Sequence, residues 1–260
     1  DTTPTLTTSS NNTDDLNGLY KSTATNTGDA TYYFRGNVTN NYVSFAGQTW
    51  RIVRVNEDGT IRLIMQNGIN NNTTYQFNSN YNNYSYMYYT NSNVKTQLES
   101  WYNTNIGNNE EYSKYVASGN YYCEQAKVKY ASSWISGSAT MTVYTNYIPN
   151  FRCTTDGNGK GLITSNIGLI TYDEIVYAGG YFNQNNKNFY LYNNQYFWTM
   201  SPVGINSTSS RTNVWGVYPS GDLHGDVSDG LRPVRLVINI KSTAEISSRT
   251  GTSTDPFVIS

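Results

Sequence analysis

Tyr196-Phe-Trp-Thr-Met-Ser-Pro202, Val214-Trp-Gly-Val-Tyr-Pro-Ser-Gly-Asp-Leu-His-Gly-Asp-Val-Ser-Asp-Gly230 and Leu231-Arg-Pro-Val-Arg-Leu-Val-Ile-Asn-Ile240 are three pieces of one segment. The first and third are rich in aromatic and β-branched residues, as strands are. The middle piece and the polar run before it mix Asn, Ser, Thr, Asp and Gly with Trp and Tyr, the residue types of adaptable recognition surfaces. The segment therefore predicts a rigid β frame that presents a loop-borne binding face. Its candidate ligand-binding residues are Tyr196, Asn206, Arg211, Asn213, Trp215, Tyr218, His224, Asp226 and Asp229. Trp198, inside an apolar run, reads as core, and Trp215 is open to that reading as well.

Composition narrows the class of protein. The 260 residues suffice to bury a real core. Only 13% are charged and the net charge is −1, so the basic footprint of a nucleic-acid partner is missing and nothing attracts anionic lipid. Tyr outnumbers Phe 25 to 8, which favours rings that pack while their hydroxyls stay wet. A neutral surface dominated by Asn, Thr, Ser and Tyr points to an extracellular, cell-surface setting, and no apolar run reaches membrane-spanning length. In that setting Cys123 and Cys153 are expected to pair as one disulfide, since two cysteines without a nearby His make a poor zinc site.

Elsewhere the pattern predicts a single domain over 18–260 behind an extended Thr/Ser/Asn-rich lead, 1–17. The lead reads as a linker or as a strand that pairs with a neighbouring subunit. Tyr32–Gly36 and Tyr42–Phe45 read as a hairpin, as do Gln48–Val55 and Thr60–Met65 around Asn56-Glu-Asp-Gly59. Within the second, Trp50, Ile52 and Val53 set against Arg51 and Arg54 predict one buried face and one charged face. Residues 66–90 read as a Tyr-rich surface excursion. Val94, Leu98, Trp101 and Tyr102 form one apolar stripe of a helix starting near Ser92. A short helix is expected over Glu110–Ala117, and another over Tyr172–Tyr177 behind the capping box Thr171-Tyr-Asp-Glu174, stopping at Gly179-Gly180. Asp156-Gly-Asn-Gly-Lys-Gly161 has neither the ending of a phosphate loop nor the twelfth-position Glu of a calcium loop, so it reads as a glycine turn. The tail around Phe257 reads as a short final strand.

Tyr33-Phe-Arg-Gly36, Trp50-Arg-Ile-Val-Arg54, Asp58-Gly-Thr-Ile-Arg-Leu63, Gly168-Leu-Ile-Thr-Tyr-Asp-Glu174, Ala178-Gly-Gly180, Trp198-Thr-Met-Ser-Pro202 and Leu231-Arg-Pro-Val234 together carry a resemblance. They are similar to a domain of unknown function in surface proteins of gut Firmicutes and related bacteria, itself similar to the C-type-lectin-like fold. Formylglycine-generating enzymes and the variable proteins of diversity-generating retroelements share that fold. Over residues 20–260 the resemblance implies an α+β domain with two main helices around small twisted antiparallel sheets, chain ends close together, and a ligand face made by the late loops. The chain departs from the enzymes, whose reactive cysteines work with metal, and lacks the Glu-Pro-Asn, Gln-Pro-Asp and Trp-Asn-Asp calcium signatures of sugar-binding lectins.

Chemistry is weighed residue by residue. His224, the sole histidine, sits in a glycine-rich stretch with little to orient it as a general base. Asp222, Asp226 and Asp229 follow no calcium-loop spacing and read as solvated turn carboxylates. Asp173 and Glu174 are explained by helix capping. Arg232 reads as a structural arginine rather than an anion receptor. The resulting expectation is a non-enzymatic recognition or adhesion domain without a cofactor or metal, whose partner is a host or neighbouring-cell glycan or protein. The alternative is a filament or pilus subunit that self-associates through residues 1–17 or the C-terminal strand.

Overall fold

A computed structural model describes residues 17–126, 149–155, 160–182, 184–206, 209–247 and 249–259. Residues 1–16 of the lead and 156–159 of the glycine turn lie outside these, as does the side chain of Asn206. In chain order the strands are β1 (Gly18–Ser22), β2 (Thr31–Arg35), β3 (Tyr42–Phe45), β4 (Gln48–Val55), β5 (Ile61–Met65), β6 (Thr74–Gln76), β7 (Asn120–Cys123), β8 (Leu162–Ser165), β9 (Ile167–Gly168), β10 (Tyr181–Phe182), β11 (Phe197–Asn206), β12 (Arg211–Val217), β13 (Asp222–Val227), β14 (Leu231–Pro233), β15 (Val237–Ile240) and β16 (Phe257–Val258). Sheets dominate and helices are few, so the chain is an α+β protein.

The largest sheet has the order β1-β2-β4-β5-β15-β9. Its centre is the hairpin β4–β5, closed by Asn56 N–H to Thr60 C=O at 2.8 Å with Gly59 in the left-handed region that the turn requires. The expected hairpin between residues 32–36 and 42–45 does not form. Both segments are strands, yet each pairs with β4: Tyr42–Phe45 lies against Gln48–Arg51, and Tyr32 and Tyr33 lie against Val55 and Arg54. An eight-residue strand offers an edge long enough for two short partners in series. The final strand β16 is formed as expected and runs parallel to β3.

The charged face of β4–β5 forms with Arg51 and Arg54 together, but it is largely buried as well. Register passes from Ile52↔Leu63 to Arg54↔Arg62, so Val53 is an extra residue. This bulge turns Arg54 onto the side that carries Arg51 and Arg62. That side is enclosed, with Arg51 and Arg62 almost fully buried. Long loops cover it, and loop carbonyls without ladder partners need donors. Arg51 donates to Val38 C=O (2.7 Å), Tyr190 C=O (3.1 Å) and Asn41 Oδ1 (2.7 Å). Arg235 donates to Met65 C=O (2.7 Å) and Leu191 C=O (2.6 Å); burial, with Arg51 nearby, pulls its pKa down to about 9. Arginine suits this work because its five fixed donors can serve several carbonyls at once.

The helix Asn93–Tyr102 is capped by Ser92, which accepts from Lys95 N–H at 3.0 Å, and it buries all four predicted stripe residues. The Glu110 helix is shorter than expected and ends at Ser113. Tyr172–Ala178 has the predicted capping box and stops at Gly179, whose φ is 115°. Arg35 caps its other end, donating to the carbonyls of Val176 (2.8 Å) and Tyr177 (3.0 Å), where the helix dipole favours a cation. In the Tyr-rich excursion Asn70, Asn71 and Asn72 take successive φ of 50°, 57° and 63°, a left-handed turn that asparagine tolerates better than most side chains. Tyr88 and Tyr89 from the same region are fully buried, whereas Tyr81 and Tyr84 stay on the surface. Cys123 and Cys153 form the expected disulfide, with Cα atoms 5.7 Å apart. Among the described residues, no helix is long and apolar enough to cross a membrane.

Candidate functional site

The late segment folds into its own four-stranded sheet, of order β10-β13-β12-β11. Residues 211–227, expected as loops, are mostly two antiparallel strands. Tyr218 N–H bonds Asp222 C=O (2.9 Å), and Gly221 closes the turn at φ 84°. Tyr-Pro-Ser-Gly-Asp between two apolar runs carries that turn signal in the sequence itself.

Pairing then sorts the candidate residues by face. Gly216 pairs with His224 and Val214 with Asp226, so His224 and Asp226 share a side of β13. The Tyr196 ring lies over Gly216, where an added Cβ would come within 2.7 Å of it. The Tyr196 hydroxyl donates to Asp226 Oδ2 (3.0 Å), and its ring centroid is 4.4 Å from that of Tyr218. Tyr218 meets His224 edge-on at 5.4 Å, and the His224 ring lies parallel to Phe182 at 6.4 Å. Arg232 completes the group. Its Nη2 is 2.7 Å from Asp226 Oδ2 and its guanidinium sits 4.3 Å from the Tyr196 ring centre. Tyr196, Tyr218, His224 and Asp226 thus converge, joined by Phe182 and Arg232.

Trp215 faces the other way, and this corrects the expectation that it helps form the binding face. It has no exposed surface and packs on Tyr172 (4.8 Å) and Phe182 (5.6 Å). Period-two alternation places it opposite His224 and Asp226. Asn213, two residues earlier, is buried as well. Arg211 and Asp229 pair with each other at 3.4 Å beside Tyr81, whose ring centre is 4.8 Å from the Arg211 guanidinium. Asn206 is placed by its backbone alone, opposite Arg211.

Electrostatics make this face a hydrogen-bonded scaffold with aromatic edges. Burial, reinforced by the Asp226 charge, pushes the Tyr196 hydroxyl far above its ordinary range. Burial raises Tyr218 too. For Arg232 burial pulls downward, but Asp226 and Tyr196 outweigh it and the pKa rises. Asp226 is saturated, because Oδ1 also accepts from Val227 N–H at 2.9 Å. Among the described residues no three His, Cys, Asp or Glu side chains gather in a way that could hold a metal.

A second charged centre escaped the sequence reading. Glu174 is the capping residue it was expected to be, accepting from Thr171 N–H at 2.9 Å. It also anchors Arg62 (Nε, 2.6 Å) and Arg54 (Nε, 3.2 Å). Burial alone would raise its pKa; the two guanidiniums, Arg62 first, hold it below the ordinary carboxylate value. The visible signal was three arginines within one hairpin, Arg51, Arg54 and Arg62, too many for a strand pair with a merely solvated face.

No protein-family model matches the chain, and no match was found among curated proteins or solved structures.

Proposed function

We propose that this chain is an extracellular recognition or adhesion domain of C-type-lectin-like architecture. It binds a glycan or a protein on the late-strand face and makes no covalent change in its ligand. One observation carries the reading: Tyr218, His224 and Asp226 meet with Phe182 and Arg232 on one half-buried surface, with the buried Tyr196 ring packed beneath it. Half-buried aromatic rings offer contact area at small entropic cost, and a locked Asp226–Arg232 pair holds them in place. The disulfide supports an oxidising, extracellular setting.

An array of glycans and host proteins probed with the wild type and with Tyr218→Ala plus His224→Ala tests this. Selective binding that the double variant loses is the expected result. Equal binding by both would remove the late-strand face from the reading. Trp215→Ala is unsuitable as a probe because it would empty the core.

The filament reading retains one favourable observation. Among the described residues β1 lies at the end of the main sheet, and Leu19 on it is exposed. An open strand edge is a template for another strand. Deleting residues 1–17 should abolish assembly if the chain polymerises there and leave ligand binding unchanged if it does not.

A further inference from the structure

Away from the late-strand sheet, a cavity of about 510 Å³ opens beside the Cys123–Cys153 disulfide. None of its lining residues belongs to β10–β13. Its volume falls within the range of small-molecule sites, roughly 300–1,000 Å³. Arg62, Glu174, Asn239 and Tyr122 line it and are buried, which places them at its inner end. Tyr121, Leu162, Asp29 and Asp58 are exposed and mark its mouth.

Among the described residues the lining contains two cations, and neither is available to a ligand. Arg62 is held by Glu174 with its guanidinium 4.5 Å from the Tyr122 ring centre. Arg54 is held by Glu174 (3.2 Å) and Glu57 (3.1 Å), and sits 4.7 Å from the Phe151 ring centre. A phosphate, sulfate or carboxylate would meet four lining carboxylates and, among the described residues, no spare positive charge. The carboxylates are mostly engaged as well: Glu57 and Glu174 by arginine, and Asp58 by Thr60 N–H (2.9 Å) and Oγ1 (2.6 Å). Only Asp29, at the mouth, lacks a carboxylate partner among the described residues. A cation would therefore find little to hold it inside.

Neutral polar groups remain. Five asparagines line the cavity, at positions 26, 56, 120, 150 and 239, and part of this set is already engaged. Asn26 Oδ1 accepts from Cys153 N–H (2.7 Å), Asn150 Oδ1 from Arg152 N–H (3.0 Å), and Asn120 Nδ2 donates to Ala117 C=O. Asn26 Nδ2 and Asn120 Oδ1 have no partner among the described residues. Asn56 donates to Thr60 Oγ1 and Asn239 Oδ1, both at 2.9 Å, and its own Oδ1 is buried without a hydrogen-bond partner. That atom is closed to a ligand, which would find instead Asn26 Nδ2 as a donor and Asn120 Oδ1 as an acceptor. Tyr121 is 68% exposed and offers an unoccupied ring face beside the opening. Planar amides match vicinal hydroxyls, and an open aromatic plane matches the C–H face of a pyranose ring.

We infer that this cleft is a binding site for a neutral saccharide, separate from the late-strand face. The test is an array of neutral, sialylated and sulfated glycans plus a trilysine peptide, probed with the full chain. Three variants accompany it: Tyr121→Ala, which removes the ring plane; Thr27→Trp, which fills the exposed mouth; and Tyr218→Ala, which alters only the other face. Unfolding midpoints confirm that each variant is folded. A set of neutral glycans should bind both the wild type and Tyr218→Ala, which removes the late-strand contribution, and should bind about tenfold more weakly to the first two variants, as loss of one stacked ring implies. Absence of neutral-glycan binding overturns the inference. So does preference for trilysine or for acidic sugars, or neutral binding that Tyr218→Ala removes while Tyr121→Ala and Thr27→Trp leave it intact. The last result would still support the late-strand face as a ligand site.

Discussion

Glu174 and Asp226 are both carboxylates clasped by arginine, yet they sit in opposite circumstances. Glu174 is 3% exposed and carries two guanidiniums, one of them 2% exposed. Asp226 is partly open to solvent, and Arg232 beside it is about a third exposed. The same pairing chemistry yields a structural staple in the first place and a surface scaffold in the second. Burial makes the difference, because an unpaired charge in the interior has no water to fall back on.

The comparison breaks most sharply at Glu174. Glu174→Gln leaves buried Arg62 without a counter-charge and Arg54 with Glu57 alone, and should destabilise the fold by about 3–5 kcal/mol in urea unfolding. It should also change the acid limb of stability. The folded carboxyl titrates below its ordinary value of about 4.5, so its contribution is full above that pH and disappears as pH falls through the folded value. The wild type should therefore lose stability on acidification below about pH 4.5, and Glu174→Gln should lose less.

The cavity's disulfide lip comes next. Replacing Cys123 and Cys153 by Ser opens a loop of sequence separation 30 and should cost about 3 kcal/mol, seen as a lower Tm. Asp226→Asn should cost only about 1 kcal/mol, since solvent screens the pair and an amide keeps some of the hydrogen bonds. That variant should reduce array binding through loosened Tyr196 and Arg232 far more than it lowers the unfolding midpoint. If Asp226→Asn instead destabilised the fold as strongly as Glu174→Gln, burial would not be what separates the two centres. The smallest effect is expected at the exposed helix pair Lys95–Glu99 (2.6 Å), where Glu99→Gln should change stability by about 0.3 kcal/mol.

Local chemistry was legible from the residues. Ser92 and Thr171 announce helix starts, Gly179 a stop, and Asn56–Gly59 a turn, because each acts on backbone within a few positions. The helix stripe of Val94, Leu98, Trp101 and Tyr102 was equally plain. Tyr196, Tyr218, His224 and Asp226, which the fold brings together, had also been singled out by type and neighbourhood. The assignment of Trp215 to the binding face failed, as did the hairpin between residues 32–36 and 42–45, and the charged face that carries Arg51 proved to be enclosed.

Alternation along a strand says that two faces differ, not which of them the rest of the chain will cover. Sequence alone thus determined the caps and turns that open or close several elements, and the disulfide pair. Tertiary structure decided the rest. The extra residue at Val53 brought Arg54 beside Arg62, a helix more than a hundred residues away supplied Glu174, and β13 set His224 and Asp226 on the side away from Trp215. Those outcomes depend on partners distant in the chain, whose pairing and burial energies no local pattern contains.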